Sequence, residues 1–138
     1  MDLSDRVRIL PGFFRDSLPL ALRGGCFPRG LAILRLDGDL YESTLEALHY
    51  LYPLLSLGGH VAVDDFTDWK GTRDAVRDYL LRHGLRNDTK IQVMWHDLDR
   101  ESAVRGIWWT KTRRTDYDPL TAIAYANGRV VPPPPPAD

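Results

Sequence analysis

The chain has 138 residues, 18 basic and 19 acidic side chains and a formal net charge of −1, with 43% hydrophobic and 27% charged residues. That composition describes one globular domain without the clustered excess of Lys and Arg that neutralises a polyanion, so general nucleic-acid binding is not expected. The apolar stretches Leu31 to Leu36 and Leu51 to Leu57 are too short to cross about 30 Å of hydrocarbon, and no membrane span is expected. Met1 to Arg6 show no basic-then-apolar signal, and one cysteine, Cys26, fits a reducing, cytoplasmic setting.

In chain order, Val7 to Leu10 alternates and meets Pro11-Gly12, which predicts a short strand ending in a turn. A short helix is expected next, with Asp16 or Ser17 as N-cap, Pro19 in its first turn and Gly24-Gly25 at its end. Leu31 to Leu36 is a nearly continuous apolar run, the pattern of a parallel strand buried on both faces. Asp39 and Glu42 have capping-box spacing, and Tyr41, Leu45, Leu48, Tyr52 and Leu55 recur every three or four positions, which predicts a helix over about Tyr41 to Leu55. Gly58-Gly59 reads as a turn into a second buried strand, His60 to Val63, followed at once by Asp64-Asp65. A second amphipathic helix is expected from about Gly71 to His83-Gly84. Ile91 to Trp95 and Val104 to Thr110 read as strands joined by the polar stretch Asp97 to Ser102, a link short enough for an antiparallel closing pair. The ordered domain is expected to span residues 1–131, with a proline-rich, disordered tail over 132–138. Arg129 to Pro135 also satisfies the R-x-x-P-x-x-P spacing of SH3-type ligands.

Strands alternating with helices imply an α/β sheet, in which ligands bind beyond the carboxyl ends of the strands. Asp37 and Asp39 follow one strand and Asp64 and Asp65 follow the next, so four carboxylates are expected to emerge side by side. Carboxylates so close share protons or hold a cation, and hard oxygen donors of this kind suit Mg²⁺. The bland alternative is that Asp39 is a helix N-cap and Asp65 and Asp68 are loop acids. Two chemistries fit the pattern. The strand ending in D-x-D resembles the nucleophile motif of haloacid-dehalogenase-type phosphatases, which implies Asp37 as nucleophile and Asp39 as general acid/base.

The other is metal-assisted methyl transfer. Leu34-Arg-Leu-Asp37-Gly-Asp-Leu-Tyr41-Glu-Ser-Thr44, followed by Tyr52-Pro-Leu-Leu-Ser-Leu-Gly-Gly-His-Val-Ala-Val-Asp64-Asp65-Phe66, resembles the core of the macrocin O-methyltransferase (TylF-type) family. The likeness begins at Val7 to Pro19, fades past Arg82 and returns at Gly106 to Lys111. The resemblance implies part of a Rossmann-like methyltransferase sheet with helices on both faces and the N-terminal strands missing. It implies S-adenosylmethionine and Mg²⁺ as cofactors and a hydroxylated small molecule, typically a sugar of a natural product, as acceptor. Asp37, Asp64 and Asp65 are implied as metal ligands and Asp37 as the catalytic proton acceptor. Gly12, Phe13 and Phe14 are implied to lie toward the adenine, although both aromatics also suit a core.

The departures matter as much. Nothing in the chain occupies the place of the family's glycine-rich cofactor loop, and Leu40 stands where catechol-type relatives carry a lysine base. The resemblance leaves Val7 to Leu10 without its strand neighbours and makes Leu31 to Leu36 a sheet edge, so the chain is expected to pair with a second copy or a separate N-terminal piece, or to re-pair its first strand locally. A non-catalytic partner module is the alternative to an enzyme. Lys111, Arg113 and Arg114 beside Trp108 and Trp109 form a basic cluster that suits an anionic substrate or, more plainly, a solvated strand end. His49 and His60 read as structural, His96 as a loop histidine and Cys26 as unreactive.

Overall fold

A computed structural model describes residues 6–64, 66–95, 104–121, 123, 125–126 and 129–130. Four strands, β1 (Leu31–Leu36), β2 (Leu55–Val63), β3 (Gln92–Trp95) and β4 (Val104–Thr110), form one mixed sheet in the order β1-β2-β4-β3. Three helices, α1 (Phe14–Arg23), α2 (Tyr41–Leu51) and α3 (Lys70–Arg82), precede β1, link β1 to β2 and follow β2. β1 and β2 are parallel, and β4 runs antiparallel to both β2 and β3, so the expected closing pair is present. A further small hairpin joins β5 (Tyr125–Ala126) and β6 (Arg129–Val130).

The sheet reads as an alternation with one covered face. Leu34, Leu36, Val61, Val63, Ile107 and Trp109 point toward α2 and α3 and pack with Leu45, Leu48, Tyr52, Ala75, Val76, Tyr79 and Leu80. Burying such side chains contributes about 1.5–3 kcal/mol each, so this layer carries most of the apolar stabilisation. Ile33, Arg35, His60 and Trp108 alternate with them and are exposed. Among the described residues the helices thus cover one face of the sheet, and β1, expected to be buried on both, is buried on one. Among the described residues β1 is also the sheet edge, as expected, with β2 as its one strand neighbour.

Several boundaries differ from the sequence expectation for identifiable reasons. Val7 to Leu10 forms no strand: among the described residues nothing pairs with it, and Ile9 stands exposed. α1 begins at Phe14, ahead of Asp16 and Ser17, and the Ser17 hydroxyl donates back to Phe13 O (3.0 Å), so neither residue caps it. α2 stops at Leu51 and tightens into a 3₁₀ turn at Tyr52–Leu54, where Pro53 has no N–H for an α-helical bond. Gly58-Gly59 lies inside β2 as a bulge: Leu31 pairs with Leu55, yet Ile33 pairs with His60. A Cβ on Gly59 would stand 2.8 Å from Ala32 O, so the bulge admits glycine alone.

The chain beyond β4 returns across the helices. Lys111 is buried, its ammonium donating to Tyr52 O and Leu55 O (both 2.8 Å) and Pro53 O (3.3 Å). The Tyr117 hydroxyl donates to His49 O (2.8 Å), and its ring stacks between His49 (5.1 Å) and His83 (4.4 Å). The same hydroxyl lies 3.0 Å from that of Tyr79.

Candidate active site

Asp37 and Asp64 come together because their strands are parallel neighbours. The ladder continues one residue past β2, where Asp64 N–H donates to Leu36 O (2.9 Å), so both carboxylates leave the sheet at the same edge. Arg35 shares the open face of β1 with Asp37 by the two-residue period of a strand. Its guanidinium donates to Asp37 Oδ2 (2.8 Å) through Nη1 and to Asp64 Oδ2 through Nη2. Side-chain exposures are 59% for Arg35, 45% for Asp37 and 24% for Asp64. The hydrogen bond to Asp37, then the charges of Asp37 and Asp64, hold the Arg35 guanidinium above its ordinary value.

Two carboxylates within the span of one planar cation, both reachable by water, fit a hard divalent ion that keeps several of its waters. Asp65, the third expected ligand, lies outside the described residues, and among those described no group of three or more metal-ligating side chains converges. Asp39 does not cap α2. Its φ of +56° turns the chain away, Leu40 takes the N-cap position with no side-chain bond, and Asp39 O accepts from the Thr72 hydroxyl (3.1 Å) instead. Gly71 lets this turn sit close, since a Cβ there would lie 2.9 Å from Tyr41 N.

Of the expected cofactor-facing residues, Phe14 reaches this site. It lines a cavity of about 80 Å³ with Leu18, Leu34, Leu36, Asp37 and Thr44. Ligand pockets for drug-sized molecules run to about 300–1,000 Å³, so a cavity of this size does not enclose a nucleoside. Gly12 has φ +111°, and Phe13 is 72% exposed with the Arg15 guanidinium 5.1 Å from its ring centre. Phe14 is 39% exposed, so neither aromatic is core. A larger cavity, about 510 Å³, lies against α3, beside Phe66, Arg77, Asp78, Arg86 and Ile91, and neither Asp37 nor Asp64 lines it.

The basic cluster near Trp108 is not a free anion site. Lys111 is spent on carbonyls, and burial followed by the charge of Arg114 pushes its ammonium below the ordinary value. Arg113 donates to Asp88 (3.0 Å) and to His83 O (3.2 Å). His49 is buried with its Nε2 2.8 Å from Thr121 O, and His60 Nδ1 lies 3.1 Å from the Thr110 hydroxyl, which fits structural roles for both. His96, like the proline run 132–136, lies outside the described residues. No described helix is long and apolar enough to cross a membrane.

Sequence reasoning missed Arg35 and Thr44. The period-two pattern of β1, with Leu34 and Leu36 on one face, was sufficient to set Arg35 beside Asp37. The Thr44 hydroxyl is buried with no hydrogen-bond partner, which no spacing reveals.

Comparison with known proteins places the chain in a family. The family Macrocin-O-methyltransferase (TylF) matches residues 2–109. An 8-demethyl-8-(2,3-dimethoxy-alpha-L-rhamnosyl)-tetracenomycin-C 4'-O-methyltransferase of Streptomyces olivaceus is 53% identical over 83 residues, 60% of this chain and 30% of that protein. The demethyldecarbamoylnovobiocin O-methyltransferase of Streptomyces niveus is 40% identical over 111 residues, 80% of this chain and 37% of its own length. Among solved structures, the O-methyltransferase NovP superposes with a TM-score of 0.60 at 40% identity, covering 80% of this chain and 40% of that one. A TDP-rhamnose 3'-O-methyltransferase of calicheamicin biosynthesis gives a TM-score of 0.52 at 27% identity, covering 72% and 38%. The chain spans about a third of the length of the curated relatives it matches. The family and the relatives are methyltransferases, so the phosphatase reading of Asp37 and Asp39 loses its support.

Proposed function

Because the chain belongs to the macrocin O-methyltransferase (TylF) family, we propose that it serves S-adenosylmethionine-dependent O-methylation of a hydroxyl on a sugar or related natural product. The observation that carries this reading is the convergence of Asp37 and Asp64 at the carboxyl ends of two adjacent parallel strands. Asp37, Asp64 and Asp65 hold Mg²⁺ at that edge, and Gly12, Phe13 and Phe14 flank the adenine side. When bound, S-adenosylmethionine would supply the methyl group, and a divalent ion held by these acids would lower the pKa of an acceptor hydroxyl. Asp37 accepts the hydroxyl proton as the oxygen attacks. Phe14 and Leu18 line the cavity beside Asp37 and make the side of the acids nearest α1 apolar.

The free edge of β1 is the place for a partner, either a second copy or a separate N-terminal piece of the fold. A second reading, a module that keeps the acidic edge without holding cofactor alone, draws on the small size of the cavity at Phe14, about 80 Å³. Calorimetric titration of S-adenosylmethionine with and without Mg²⁺, repeated on an Asp64→Asn, Asp65→Asn double variant, separates the two. Cofactor binding that depends on the acids supports the enzyme. Mg²⁺ binding by the unaltered chain alone, with no heat from the cofactor, supports the module. An unaltered chain that binds neither refutes the metal site.

A further inference from the structure

We propose that Arg35 is an internal cation that occupies the Asp37–Asp64 pair and must be displaced before a divalent ion can bind there. The proposal rests on the reading of those acids as metal ligands and adds a competitor to it. Three observations carry it. The guanidinium bridges both carboxylates at once, to Asp37 Oδ2 at 2.8 Å and to Asp64 Oδ2, so it stands where a shared cation would. It comes from within β1, so its backbone is fixed by pairing with β2 opposite Ala62, and leaving the acids takes side-chain rotation alone. Its side chain is 59% exposed on the uncovered face of the sheet, so solvent is there to receive it when it swings out.

The physical consequence is a charge exchange. With Arg35 in place, two carboxylates share one positive charge. With a divalent ion in place they are neutralised, and the guanidinium becomes a free donor beside the site, with a planar fork suited to oxygen acceptors. No other charged side chain of β1 competes for these acids, because Arg35 is the strand's sole ionisable residue. Each exposed ion pair favours the closed state by about 2- to 5-fold, so the two together weaken metal binding by about 10-fold.

The test uses the whole chain and Mn²⁺ as probe, with free ion followed by electron paramagnetic resonance. Arg35→Gln is expected to bind Mn²⁺ about 10-fold more tightly than the unaltered chain, and Arg35→Lys to fall between, because an ammonium offers no planar fork to hold both acids. Millimolar methylguanidinium added to Arg35→Gln is expected to weaken Mn²⁺ binding again, a rescue that a purely structural role for Arg35 would not produce. Should the Gln variant fold poorly, the Lys variant alone reads the effect at a few-fold. Equal or weaker Mn²⁺ binding by a folded Arg35→Gln, with the unaltered chain still binding, overturns the competition while the metal reading stands. No binding by either, with Asp37→Asn indistinguishable from both, overturns the metal reading and this proposal with it.

Discussion

Lys111→Met is the sharpest test of how the helical layer is held to the sheet. The methionine keeps the apolar stem and removes three donors from a site where Lys111 is 3% exposed. Two bonds at 2.8 Å to Tyr52 O and Leu55 O, from a charged donor, contribute about 1.5 kcal/mol each at the low end of their range. The 3.3 Å contact to Pro53 O adds little. Against the resulting sum of about 3 kcal/mol stands the cost of keeping an ammonium out of water, which methionine does not bear. Tyr52 O also keeps the N–H of Leu55, so it is not left bare. The balance is a loss of about 2 kcal/mol, or about 6 °C in Tm for a chain of this size. Urea unfolding followed by circular dichroism, with thermal scans beside it, measures both. A Lys111→Met variant as stable as the unaltered chain would mean that desolvation outweighs the carbonyl bonds, and the tether would be a burden instead of a clasp.

Burial, then the charges of Arg82 and His49, pushes His83 from 6.5 down to about 4. The unfolded chain therefore binds the proton more readily across that window, so stability is full above pH 6.5, falls as pH drops, and bottoms out below about 4. The loss is about 2 kcal/mol after allowance for partial exposure, larger than the 0.3–1 kcal/mol a charged histidine gains at a helix C-terminus. Urea midpoints at stepped pH should show the slope flatten in His83→Phe, and an unchanged slope would assign it elsewhere. Thr44→Val fills the same volume without the orphaned hydroxyl, so it should be neutral or stabilising by up to about 1 kcal/mol in a thermal scan. Gly30→Ala should cost about 2–3 kcal/mol by the same scan, because φ is +70° and the new Cβ would lie 2.6 Å from Leu54 O. A loss under 1 kcal/mol would show that the turn into β1 relaxes.

Much of the molecule was legible in the sequence where local pattern and tertiary role agree. β1, α2, α3 and β4 follow from apolar runs and helical spacing, and their order implied adjacent strands with acids at one end. The failures share a cause: local signals need a partner that sequence does not display. Val7 to Leu10 alternates like a strand, but nothing pairs with it. Asp39 and Glu42 have cap spacing, but a left-handed turn and a hydroxyl from α3 take Asp39 elsewhere. Lys111 looked like a surface charge because the carbonyls that satisfy it come from more than fifty positions away. Topology makes the two strand-end acids neighbours, whereas Arg35, which bridges them, is inconspicuous within an otherwise apolar run.

The segment from Lys111 to Thr121 has no helix or strand of its own, yet it is fastened at Tyr52 and Leu55, at Asp88, and at the stack of His49, Tyr117 and His83. A belt of that kind has no stability apart from what it encircles. A protease needs an extended stretch of chain, so cleavage within the belt must wait for it to unfasten, and the rate reports how often that local opening occurs. Limited digestion at that segment would then time the release of the belt, a local opening that global unfolding curves average away.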